Sequence, residues 1–187
     1  MFSVFVKEFS VDKSLSRSAG VFVFIVLTSL AGFVRIPLGF TPVPLTLQTF
    51  FVLLSGALLG SRLGAASQMG YLLLGVAGLP VFSKAGSGCA YLAGPTAGYM
   101  FGFVAASFLL GRLLPSVKNF SGACAVFVAA DMFILGMGSA WLAMVSGCGL
   151  VQAFLLGFVP FIIGDMLKAS CAAAVYLRLR ERSARYF

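Results

Sequence analysis

Apolar residues run in long blocks through this chain, among them Val21–Val34, Leu45–Leu59 and Phe154–Leu177. A single small soluble core cannot absorb so many. The chain is 60% hydrophobic and only 10% charged, against roughly 25% charge in soluble domains. In lipid, only helices and closed barrels satisfy every backbone polar group internally. Barrel strands alternate apolar and polar residues over about ten positions, and these blocks do not alternate. The expected fold class is therefore all-α, a polytopic membrane protein.

Six spans are predicted, near 18–35, 45–61, 63–79, 95–114, 120–146 and 152–178. Gly94-Pro95 opens the fourth, with Pro95 at its first helical position, where a missing N–H is harmless. Pro115 and Gly147 mark ends. Pro160 lies within the sixth block, so that helix starts late or kinks there. "SLAGF" has the look of a signal-cleavage site, but the run before it reads better as a first spanning helix. With no internal repeat or soluble segment, residues 1–187 are expected to form a single membrane domain. Residues 1–17 precede the first span, and 179–187 form a basic tail.

Six spans place both termini on one side, and the basic residues agree. That side carries Lys7, Lys13, Arg17, Arg62, Arg112, Lys118, Arg178, Arg180, Arg182 and Arg185, whereas the other carries only Arg35 and Lys84. By the positive-inside rule both termini are cytoplasmic, in a multi-pass protein of the cell membrane. The formal net charge of +8 thus collects at the edges of apolar blocks, which argues against nucleic acid as a partner. Cys89, Cys124, Cys148 and Cys171 form no CxxC pair and there is no histidine, so neither a metal site nor a cofactor is expected. Gly56, Gly60 and Gly64, and Gly98, Gly102 and Ala106, recur at four-residue spacing. They let helices approach closely, within the bundle or, on a sharper reading, against a partner membrane protein.

Three charges fall inside predicted spans: Asp131, Asp165 and Lys168. Each costs roughly 2.5–3.5 kcal/mol at the bilayer centre and persists where it pairs, lines a cavity or meets a substrate. Asp165 and Lys168, at i and i+3, share one helical face. Two further stretches belong to one side of the bundle. "RIPLGFTPVPLTLQTF" (35–50) holds three prolines that forbid regular helix and ends near Gln48. "GLPVFSKAGSGCAYLAGPTAGY" (78–99) is glycine-rich and carries Phe82, Tyr91 and Tyr99. Both flank the outer mouth, where aromatic walls with a few polar groups suit a small molecule.

"TPVPLTLQTF", "GLPVFS", "GPTAGYMFGF" and "PFIIGDMLK", in that order over about 35–170, resemble the BioY family, the biotin-binding membrane subunits (S components) of energy-coupling factor transporters. The resemblance implies a six-helix fold binding biotin at the outer face. Uptake would be driven by a membrane scaffold subunit and two cytoplasmic ATPases. It assigns biotin binding to Asp165 and Lys168, and draws in the first outer loop through Thr46 and Gln48. The loop before the fourth helix adds Lys84, Tyr91 and Tyr99, with Phe82 beside them. The first helix departs from the small-xxx-small pattern frequent in S components, since Val23 follows Ala19 and Phe24 follows Gly20 at the critical spacing.

The chemistry agrees. Biotin's ureido N–H groups can donate to a carboxylate and its carbonyl can accept from an ammonium. Its valerate carboxylate then meets Lys84 near the mouth, or alternatively Lys168. A binding subunit for another vitamin has the same architecture. An intramembrane aspartyl protease would pair Asp131 with Asp165, but the Gly-x-Gly-Asp signature lacks its first glycine at Ile162, and Lys168 would keep Asp165 ionised. A proton-coupled carrier using Asp131 is expected to show internal repeats. There is no P-loop pattern, so the chain is not expected to be an enzyme, and any ATP hydrolysis belongs to separate subunits.

Overall fold

The computed structural model describes the backbone of residues 13–186 and the side chains of residues 14–180. Expectations for Lys7, Lys13, Arg182 and Arg185 therefore fall on residues or side chains outside the described ones. The first apolar block forms α1 (Lys13–Ala31), which ends four residues short of the predicted limit. Residues 13–17 are already helical, so the first span is continuous with part of the segment expected to precede it.

The proline-rich stretch is extended, as its composition requires. Arg35–Ile36 (β1) pairs antiparallel with Leu45–Thr46 (β2), Arg35 opposite Thr46 and Ile36 opposite Leu45. The Leu47 N–H donates to the Val34 carbonyl at 3.1 Å and closes the loop. Helix α2 (Gln48–Leu59) follows at once, and α3 (Ser61–Val76) begins after the single residue Gly60. Gly60 has φ +80°, a conformation that L side chains rarely adopt.

Beyond α3, the second loop folds into short 3-10 turns at Ser83–Ala85 and Cys89–Ala93. Helix α4 (Ala97–Leu113) starts two residues after Pro95, later than predicted, because Gly94–Thr96 is used as an entry turn. Helix α5 (Phe120–Ser146) opens on Asn119, whose side-chain oxygen accepts from the Gly122 N–H, and ends on the left-handed Gly147. The sixth block breaks at Pro160 into α6 (Leu150–Gly157), a 3-10 turn at Val159–Phe161, and α7 (Ile162–Tyr186). Helix α7 runs through most of the expected basic tail.

Helix α4 is central, packed on α2, α3 and α5, while α7 closes against α2 and α5, and α1 lies on α2 and α3. Backbones meet where the small-residue spacing suggested. A Cβ on Gly56 would strike the backbone of Ser107, and one on Gly111 the backbone of α2 and α3 around Gly56–Ser61. The Ser55 and Ser107 hydroxyls are hydrogen-bonded at 2.9 Å across this contact. Gly56 and Gly64 thus serve packing within the bundle, as Gly98 and Gly102 do between α4 and α5, while Ala106 is fully buried on α4. Among the described residues, four helical stretches, 14–31, 97–116, 120–146 and 150–180, are long and apolar enough to cross a membrane.

Candidate functional site

Helix α7 starts afresh after the Pro160 break, and this places Asp165 in its first turn. The N-terminal end of a helix dipole favours negative charge. Asp165 is almost wholly buried, and its carboxylate pairs with the Lys168 ammonium on the same face. Lys168 reaches across to α2, donating to the Thr46 carbonyl at 2.8 Å and to the Thr49 hydroxyl at 2.7 Å. Thr46 ends β2 just before α2 begins, so its carbonyl is outside any helical ladder and can accept the ammonium. The pair thereby clamps α7 to the first loop.

Beside this clamp is a narrow recess, partly open to solvent, with a cavity volume of about 50 Å³. Asp165, Lys168, Thr46, Thr49 and Gln48 supply one polar wall. Tyr71, Tyr91 and Tyr99 supply aromatic surface, and Met100, Phe103, Leu135 and Phe161 an apolar floor.

Most polar atoms of these aromatics are engaged within the protein. The Tyr99 hydroxyl donates to the Gly157 carbonyl at 2.6 Å, and the Tyr91 hydroxyl to the Ser83 carbonyl at 2.9 Å. Gln48 Nε2 donates to the Tyr71 hydroxyl at 2.7 Å and to the Thr28 carbonyl at 3.3 Å. Ring positions therefore follow from hydrogen bonds to the backbone and from glycine seats. A Cβ on Gly138 would collide with the Tyr99 ring, and one on Gly75 with Phe82.

The structure brings Asp165, Lys168, Thr46, Gln48, Tyr91 and Tyr99 around this recess. Phe82 and Lys84 do not line it. Phe82 is fully buried behind the wall, stacked on Tyr91 at 4.9 Å and edge-on to Tyr71 at 5.6 Å. Lys84 is exposed on a left-handed turn (φ +65°), its backbone turned so that its neighbour Ser83 faces the recess instead. The Ser83 hydroxyl is buried there without a hydrogen-bond partner among the described residues.

Thr49, Tyr71, Ser83 and Thr96 are lining residues that the sequence did not single out. A lone tyrosine within the third predicted span was the available signal for Tyr71; Thr49 and Ser83 each adjoin a residue that was named. Asp131 is fully buried, but Asp165 is paired with Lys168 and not with Asp131, contrary to a protease dyad. Among the described residues no cluster of three His, Cys, Asp or Glu side chains forms a metal site, and the four cysteines are free.

A bundle of apolar helices enclosing a small, mixed polar and aromatic recess defines a membrane protein built to hold a small molecule. The chain belongs to the BioY family, whose pattern it matches over residues 7–185. It is 39% identical to the biotin transporter BioY of Thermotoga maritima over 159 residues, 85% of this chain and 92% of that protein. It is 37% identical to a probable biotin transporter BioY of Pyrococcus horikoshii, over 84% of this chain and 91% of the other. Its fold matches a crystal structure of the S-component for biotin from an ECF-type ABC transporter with a TM-score of 0.82 and 30% identity, covering 90% of this chain and 92% of that one.

Proposed function

We propose that this protein binds biotin in the recess and serves as the S component of an energy-coupling factor transporter. One observation carries the site assignment: an acid and an amine, both largely buried, face a mixed polar and aromatic recess from a single turn of helix. In this reading Asp165 accepts from the ureido N–H groups, and Lys168 exchanges one of its three present acceptors for the ureido carbonyl. Thr46 and Thr49 hold the ammonium in place. Tyr91 and Tyr99 flank the guest, Gln48 fixes the wall, and Phe82 backs it. Lys84, exposed at the rim, meets the valerate carboxylate only as a solvated charge.

The same reading places the chain in the cell membrane as one domain of six spans with both termini cytoplasmic, counting α6 and α7 as one interrupted span. Helices α2 and α3, of 12 and 16 residues, extend about 18 and 24 Å at 1.5 Å per residue. They fall short of a bilayer core of roughly 30 Å, which leaves depth at the outer side for the loops and the recess. Partners are a membrane scaffold subunit and two ATPase subunits, since ATP hydrolysis must come from other chains.

The test is a ligand panel on the detergent-purified protein, read by thermal shift and calorimetry. Biotin is expected to stabilise the protein, desthiobiotin less, and other vitamins not at all. Stabilisation by another vitamin and not by biotin overturns the assignment.

A further inference from the structure

The proposed biotin site uses Asp165 and Lys168 and leaves Asp131 without a task. Asp131 lies midway along α5, fully buried, and neither carboxylate oxygen has a hydrogen-bond partner among the described residues. It is within electrostatic reach of Asp165 and Lys168. Leu135, about one turn further along α5, lines the recess.

Lys168 has no donor left for Asp131. An ammonium carries three N–H groups, and the Asp165 carboxylate, the Thr46 carbonyl and the Thr49 hydroxyl each take one. Among the described residues, the other elements packed on α5 bring no cation into the interior. From α4 come Tyr99, whose hydroxyl is bonded to Gly157, and Arg112, exposed at the helix end. Helix α7 adds Tyr176, its ring packed on Phe127, the exposed Cys171, and near its C-terminal end the exposed Arg178 and the partly exposed Arg180, the latter bonded to the Lys118 carbonyl. Helices α2 and α6 have no titratable side chain, and α5 itself adds only Cys124. Among the described residues the interior thus holds two carboxyls against one ammonium. An ionised acid buried without a partner neutralises instead, and here a proton is the counter-charge that the surroundings allow.

We propose that Asp131 is a proton-binding site whose loading is linked to occupancy of the recess. The proposal rests on the biotin reading for its guest. A guest acceptor on Lys168 draws the field of the ammonium away from Asp131, and an anionic guest adds negative charge nearby. Both favour the proton on Asp131, so by reciprocity the proton-loaded protein binds the anion more tightly. Raising the pH releases that proton to bulk water and weakens binding, by up to about tenfold per pH unit for one linked proton.

The experiment measures biotin affinity across neutral to alkaline pH by calorimetry, on the full chain in lipid nanodiscs, for wild type and Asp131→Asn. The wild type is expected to lose affinity as the pH rises and to take up protons on binding, read from the difference between two buffers of unlike ionisation heat. Asp131→Asn should keep the low-pH affinity throughout, without uptake. A flat profile in the wild type, or the same slope in both proteins, overturns the proposal.

Infrared spectroscopy of the guest-free protein tests the proton directly. A carboxylic-acid carbonyl band should be present in the wild type, lost at high pH, shifted in Asp131→Glu and missing in Asp131→Asn. Its absence from the wild type overturns the proposal even if the Asn variant does not fold. If biotin binds neither protein, the biotin reading falls, and the infrared band alone decides the proton site.

Discussion

Gln48 opens α2 and donates its amide N–H to the Tyr71 hydroxyl of α3 at 2.7 Å. Its nitrogen also serves the Thr28 carbonyl of α1, and its side-chain oxygen lies 3.4 Å from the Thr46 hydroxyl. One side chain therefore ties the end of the first loop to two helices. Gln48→Ala leaves the buried Tyr71 hydroxyl without this partner, at a cost of about 1–3 kcal/mol. A lower unfolding temperature in detergent and faster biotin release are expected. Unchanged release kinetics would remove Gln48 from the site.

Asp165 and Lys168 test the binding assignment. Asp165→Asn and Lys168→Ala are each expected to weaken biotin binding by about 2 kcal/mol or more, since charge-assisted bonds to a guest are lost in a dry site. Calorimetry measures this directly, and wild-type affinity in both variants would refute the roles proposed. Stability separates the two partners. Lys168→Ala leaves a buried carboxylate unpaired, which costs roughly 3–5 kcal/mol, whereas the double variant should recover much of that loss in a thermal-unfolding series.

The helical class, the break at Pro160 and the extended first loop were legible because each follows from local chemistry: apolar length, a missing N–H, proline density. The shared face of Asp165 and Lys168 was legible from helical spacing. What spacing could not show is that Lys168 reaches the Thr46 carbonyl, 122 residues away in sequence, because tertiary packing sets that contact. The same holds for Lys84 and Ser83. Both stand in one polar loop, and the fold, with left-handed backbone at Lys84 and Ala85, leaves Ser83 facing inward.

That turn yields a paired prediction. Lys84→Ala should alter biotin affinity by less than about 1 kcal/mol, as expected for a solvated charge. Ser83→Ala should weaken binding by about 1 kcal/mol, the net worth of one hydrogen bond, while leaving the guest-free protein as stable or more so, because a buried hydroxyl lacking a partner is removed. Competition binding with labelled biotin reads both. A large effect at Lys84 with none at Ser83 would reverse the assignment of the rim.

Glycine seats can be tested without touching any polar group. A Cβ at Gly138 meets the Tyr99 ring, whereas one at Gly136, on the same helix, meets nothing within 4 Å. Gly138→Ala must push the Tyr99 ring toward the recess or part α4 from α5, and overpacking of this kind costs about 1–3 kcal/mol. Gly136→Ala adds a methyl to an open helical position, where alanine is favoured over glycine by up to about 1 kcal/mol. Thermal unfolding should therefore move in opposite directions for the two variants, and biotin affinity should fall only for Gly138→Ala. Equal affinity in both would mean that the Tyr99 ring does not bound the guest, and the aromatic wall would have to be redrawn around Tyr71 and Tyr91.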